Sequence, residues 1–246
     1  MKTLLIDIET APAKAYIWDL RTRYVPLSQV AEDGYILCFA ASWMGSGMVE
    51  FASRWDHGEK QMIEWAWELL DEADAVIHYN GKRYDIPRLN SEFLVRGLGP
   101  PTPSYQIDLY ETVSRKFKVL SKSMNHMLRL LSLEEKVKHK GMELWTECMD
   151  GVAASQKEME TYNIRDVEAL EDLYTHLLPW IDNHPNVALW MPATEDRKCT
   201  HCGSENLRFK GYKYTRVASY KQYLCKDCGS YSRSRFAEAR REDVLR

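Results

Sequence analysis

Residues Thr3-Leu4-Leu5-Ile6-Asp7-Ile8-Glu9-Thr10 begin as an apolar run and end with two acids separated by a single isoleucine. The run predicts a β-strand over Thr3 to Ile8. Side chains two apart on a strand share a face, so Asp7 and Glu9 project together while Ile6 and Ile8 face the other way. Two neighbouring carboxylates in apolar surroundings repel and are costly unless a cation neutralises them. Hard oxygen ligands at a strand end suit Mg²⁺ or Mn²⁺. A solvated strand edge would also accommodate such a pair.

Working outward, Tyr35 to Trp43 and Met48 to Ala52 predict two more strands, joined as a hairpin across Gly45-Ser46-Gly47. Gly58 to Leu70 carries apolar residues at helical period, and Ala73 to Tyr79 returns to strand character. A helix is expected from Pro87 to Val95 and a strand from Tyr105 to Leu109. The chain then becomes mainly helical. Ser121 or Ser123 can cap a helix through Leu131. Ser155 with Glu158 has capping-box spacing and opens a long helix toward Leu178, with Ala153, Met159, Ile164, Val167, Leu170 and Leu173 assigned to the core. Strands mixed with helices around one core give an α/β body.

Two further acids lie on these elements. Asp85 ends the stretch Asn80-Gly81-Lys82-Arg83-Tyr84-Asp85, where a strand turns into a helix, and is either a site carboxylate or a helix cap. Asp166 follows Tyr162 by four residues, which puts phenol and carboxylate on one helix face. Asp108, at another strand end, is expected to be structural. Together, D-x-E in the first strand, N-G-x-x-Y-D in the middle and Y-x-x-x-D on a late helix resemble the three motifs of the DEDD exonuclease family. The middle motif is most similar to that of proofreading domains of family B DNA polymerases. The position five before Asp166 is Thr161 rather than histidine, so Tyr162 aligns the chain with the tyrosine branch.

The resemblance spans roughly residues 1–180. It implies a ribonuclease H-like mixed sheet flanked by helices, two Mg²⁺ or Mn²⁺ ions and hydrolysis from a 3′ end. By the same resemblance, Asp7, Glu9 and Asp166 hold the ion that binds the attacking water, and Asp7 bridges to the second ion. Asp85 supports that second ion directly or through water, and Tyr162 orients the nucleophile. Tyr84 and Arg88, beside the middle motif, are candidates for contact with the terminal nucleotide. DNA is the expected substrate. An RNA-processing exonuclease and a non-catalytic nucleic-acid-binding adaptor are the alternatives.

Near the C-terminus, Cys199-Thr200-His201-Cys202-Gly203 and Cys225-Lys226-Asp227-Cys228-Gly229 form two C-x-x-C knuckles with 22 residues between the inner cysteines. Four thiolates in two knuckles predict a closed, structural Zn²⁺ site, a zinc ribbon, with His201 a bystander. Cys38 sits in an apolar stretch and is assigned to the core. The expected organisation is a ribonuclease H-like domain over 1–180, a Pro-punctuated linker over 181–196, and the ribbon with a basic tail over 197–246.

Charge follows the same division. The net charge is −3, yet residues 197–246 hold 13 Lys/Arg against 5 Asp/Glu, a balance of +8, and the preceding residues balance at −11. An acidic body suits cations and a basic tail suits polyanions. Lys210, Lys213, Arg216 and Lys221, interleaved with Phe209, Tyr212, Tyr214 and Tyr220, have a single-strand-binding composition. Some of those rings are expected to form the ribbon's own small core. No apolar run reaches the eighteen residues of a membrane span. The Leu4-Leu5-Ile6 run is cut short by acids and makes a poor signal core, so a cytoplasmic protein is expected, with nucleic acid as partner and a replication or repair protein as a further candidate.

Overall fold

The computed structural model describes residues 1–134 and 140–238. The predicted basic tail beyond 238 lies outside the described residues. In chain order the elements are β1 (Thr3–Thr10), β2 (Lys14–Ala15), β3 (Val30–Glu32), β4 (Ile36–Trp43), β5 (Val49–Ser53), α1 (Arg54–His57), α2 (Glu59–Glu72), β6 (Ala75–His78) and α3 (Asp85–Val95). They continue through β7 (Tyr105–Asp108), α4 (Leu109–Lys116), α5 (Met124–Leu130), α6 (Met142–Met149), α7 (Ala153–Leu177), β8 (Leu207–Tyr214), β9 (Ser219–Cys225) and β10 (Tyr231–Arg233).

The main sheet has the order β5-β4-β1-β6-β7. β1 pairs antiparallel with β4 and parallel with β6, so the strand carrying Asp7 and Glu9 is central. A central strand is covered on both faces, which explains its near-continuous apolar start. Leu5 packs with Ile77, Ile107, Val167 and Leu170 on the α7 side. Leu4, Ile6 and Ile8 pack with Phe39, Met62, Ile63 and Leu89 on the α2–α3 side. Asp7 and Glu9 share the two-residue period of Leu5, so they point toward α7. A register shift between Glu9 and Thr10 ends the regular ladder there, a local irregularity common beside functional sites.

The fold is therefore the expected mixed sheet flanked by helices. Differences lie at the ends of elements. α7 starts at Ala153 with Val152 as its cap, and Ser155 sits inside it, buried, donating its hydroxyl to Glu147 rather than closing a capping box. The chain arrives at α7 from α6 through Gly151 at φ 81°, and the Val152 carbonyl takes the Ser155 and Gln156 amides. That turn sets the start two residues earlier, and it leaves Ala153 exposed instead of in the core. α3 likewise begins at Asp85, whose side chain does not cap it. Ser123 is the cap of α5. β8, β9 and β10 form a separate three-stranded sheet, with Cys225 ending β9 and the other three knuckle cysteines outside the strands. Among the described residues no helix is long and apolar enough to cross a membrane.

Candidate active site and cysteine centre

β1 and α7 bring together one carboxylate oxygen each from Asp7, Glu9 and Asp166, all within 4.8 Å of one another. Asp166 is almost fully buried, and Asp7 and Glu9 are half-buried. Three acids this close, screened from water, are a hard-oxygen ligand set that a divalent cation would neutralise. Neighbours fix two of them. Asn163, one turn before Asp166's successor Val167 and fully buried, donates Nδ2 to the Asp7 carboxylate at 2.9 Å. Trp145 of α6 donates its indole N–H to Glu9 at 3.2 Å. Its ring meets Tyr162 edge-on with centroids 6.1 Å apart. Neither Asn163 nor Trp145 was singled out from sequence. Asn163 had a usable signal, since it shares the buried stripe of Met159, Asp166 and Leu170 at spacings of three and four. Trp145 had none.

Tyr162 lies on the same face of α7 as Asp166, as the four-residue spacing predicts. Burial, and then the charges of Asp166, Glu9 and Asp7, push its phenol well above the usual range, and it hydrogen-bonds the Asp166 carboxylate. The hydroxyl is thus held protonated, as a donor.

Asp85 stands outside the three-acid cluster. Its Oδ1 accepts the Ile8 N–H at 3.2 Å, on the strand between the other two acids. Burial raises its carboxyl above the usual value, partly offset by that amide and by His78. The loop before it is built for close packing. Asn80 adopts φ 65°, and a Cβ on Gly81 would stand 2.5 Å from the His78 ring, so the N-G pair is a steric requirement. Asp108 anchors that loop, accepting the amides of Asn80 (2.9 Å), Lys82 (3.3 Å) and Tyr110 (3.0 Å) with His78 Nδ1 3.5 Å away. The structural role expected for Asp108 is what the geometry shows.

Two clefts flank the acids. One of about 650 Å³ runs past Asp7, Asn80, Arg83 and Lys122. The other, of about 470 Å³, is bounded by Thr10, Pro12, Tyr84, Arg88 and Trp145. In its wall the Tyr84 hydroxyl bonds Thr10 at 2.6 Å, and Arg88 donates to the Gly34 carbonyl.

The cysteine sulfurs of residues 199, 202, 225 and 228 also fall within 4.8 Å of one another. Cys199–Cys228 and Cys202–Cys225 are each 3.6 Å apart, too far for disulfides and close to the edge of about 3.8 Å that a tetrahedron of zinc–sulfur bonds of about 2.3 Å requires. The cluster fits a zinc ribbon. Cys38 is buried in the body, as expected. Around the ribbon Arg208, Lys210, Lys213 and Arg216 are exposed, whereas Lys221 pairs with Glu238 at 3.0 Å. Of the interleaved rings Phe209, Tyr212 and Tyr214 are exposed and Tyr220 is half-buried, while Tyr223, on β9, is buried.

A family model of the RNase H superfamily matches residues 28–178, more than half of the chain. The chain belongs to the RNase H superfamily. The matched span holds Asp85, Tyr162 and Asp166, while Asp7 and Glu9 precede it. This RNase H superfamily chain is also similar in structure to the family B DNA polymerase from the hyperthermophilic archaeon Pyrobaculum calidifontis, with a TM-score of 0.56 and 18% sequence identity. The similarity covers 72% of this chain and 24% of the polymerase, so the chain spans about a quarter of that protein, and the likeness is one of fold. A search of the curated proteins finds no match.

Proposed function

We propose that this protein is a divalent-metal-dependent 3′→5′ exonuclease of the DEDD tyrosine branch, acting on single-stranded ends of DNA. The observation that carries the reading is the meeting of Asp7, Glu9 and Asp166 within 4.8 Å, with Tyr162 hydrogen-bonded to Asp166. When bound there, a pair of Mg²⁺ or Mn²⁺ ions would supply Lewis-acid charge at the phosphate and lower the pKa of a coordinated water. Asp7, Glu9 and Asp166 would hold the ions. Asn163 and Trp145 keep the first two carboxylates in place, so little reorganisation is required of them. The Tyr162 hydroxyl orients the attacking water, and its raised pKa makes it unsuited to take the proton. Asp85, bonded to the backbone between Asp7 and Glu9, acts through that strand or through water. Arg83 and Lys122 in one cleft suit phosphates, and Tyr84 and Arg88 border the space for a terminal nucleotide. The polymerase likeness favours DNA over RNA.

The test is digestion of 5′-labelled single- and double-stranded DNA and RNA in Mg²⁺ or Mn²⁺. A ladder of progressively shorter labelled products is expected, abolished by Asp7→Ala or Asp166→Ala in protein that retains its circular-dichroism spectrum. Full-rate cutting without divalent ions, or by Asp166→Ala, would overturn the assignment. Immediate release of the labelled nucleotide would reverse the polarity.

A further inference from the structure

Residues 16–29 leave the body between β2 and β3, a few residues past Glu9, and return just before β4. Ladder contacts at the base, Tyr16 N–H to Gln29 and Ala11 N–H to Tyr35, tie down the two ends. Most side chains of the segment are exposed. Trp18 is 96% exposed, Tyr16 78% and Tyr24 75%. A tryptophan left almost wholly in water gains nothing for the fold, and a run of such residues marks a surface kept for something else. Arg21 and Arg23 lie between Trp18 and Tyr24, and Asp19 is the only acid between Lys14 and Glu32. The residues that flank the segment, Ala11, Pro12, Ala13 and Gly34, line the cleft that also holds Thr10 and Trp145, and Trp145 touches Glu9.

We propose that residues 16–29 are an arm that stacks on unpaired bases of a nucleic-acid strand as it enters the cleft beside Asp7, Glu9 and Asp166. This rests on the reading of the protein as a nuclease for single-stranded ends. Rings take up unpaired bases of any sequence while the arginines neutralise phosphates, and a duplex offers no free base faces to the arm. The exposed Leu20 and Leu27 are the feature a protein partner would use instead. The exposed rings with two arginines against one acid, on a segment whose flanking residues line the cleft, favour the strand.

The test measures binding of 5′-fluorescein oligothymidylates and of a blunt duplex by anisotropy, using full-length protein carrying Asp166→Ala so that no strand is cut. Adding Trp18→Ala and Tyr24→Ala is expected to weaken single-strand binding by about tenfold or more and to leave duplex binding unchanged. Adding Arg21→Ala and Arg23→Ala instead should lower the slope of log affinity against log salt by about 1.4. These side chains are exposed, so the fold is not at stake. Unchanged single-strand affinity in the ring variant overturns the arm. So does a wild-type dimer that the ring variant abolishes without altering strand binding. Ring-dependent binding together with a wild-type protein that cleaves nothing would sustain the arm while refuting the nuclease reading, whereas wild-type cleavage with ring-independent binding does the reverse.

Discussion

Asp108 takes three backbone amides and faces His78, although it is almost wholly removed from water. Burial alone would raise its carboxyl, but the His78 contact and the Asn80 and Lys82 amides outweigh that and hold it below the usual carboxylate range. A depressed native pKa stabilises the fold above the unfolded value of about 3.9, and that stabilisation is lost as pH falls through the native value. Asp108→Asn should therefore cost about 2 kcal/mol in urea unfolding at pH 7, with the difference from wild type shrinking below about pH 4. A difference independent of pH would mean the charge is not what matters. At the site itself, Tyr162→Phe removes a hydroxyl that touches Asp166 and leaves the ring against Trp145. Single-turnover cleavage is expected to fall by roughly a hundredfold, the lower end for a positioning group. Undiminished cleavage would reduce Tyr162 to a packing residue.

At the scale of elements, the candidate active site is where a strand end meets a helix face, and Asn163 is the joint. Asn163→Leu keeps the volume but withdraws the donor from Asp7, so cleavage should drop by about tenfold or more and need more Mg²⁺ to recover. A variant with wild-type metal dependence would place Asn163 in packing alone. Elements of this kind were legible in sequence to different depths. The alternation of Leu5, Asp7 and Glu9 against Ile6 and Ile8 disclosed both the strand and the side its acids face. The spacing of Tyr162 and Asp166 disclosed the helix face opposite. The start of α7 was misread because Ser155 and Glu158 have capping spacing, yet the turn at Gly151 and the pull of Glu147 on Ser155 decide the boundary. Trp145 was illegible because its partner is 136 residues away, and no local pattern reports such a contact. The cysteine spacing was self-sufficient, since thiolate geometry leaves few other uses for two knuckles.

For the whole molecule, we propose that the body and ribbon are thermodynamically joined despite their opposite charges. The His201 ring stacks on His184 with centroids 5.0 Å apart, and His184 bonds the Tyr174 hydroxyl of α7 at 2.7 Å. Val187 donates its amide to Thr200, and Cys228 packs against the cluster containing Leu178 and Ile181. His201 is thus no ligand by its geometry, but it is a docking contact. A zinc chelator should consequently lower the melting temperature of the whole chain by roughly 4–8 °C, as would follow from losing about 2 kcal/mol of contact. Deleting residues 197–246 should do the same while sparing metal-dependent cutting of short oligonucleotides below the melt. An unchanged body transition after zinc removal would show two independent units.

Asp7 and its holder Asn163 lie 156 residues apart in the chain. During synthesis at about 5–20 residues per second, some 8–30 s separate the emergence of β1 from that of α7. Throughout that interval a ribosome-bound chain has only part of its ligand set. On the proposed exonuclease reading the enzyme is born beside a great deal of nucleic acid, and this order of assembly would keep each nascent copy harmless until nearly the last helix of its body has cleared the exit tunnel.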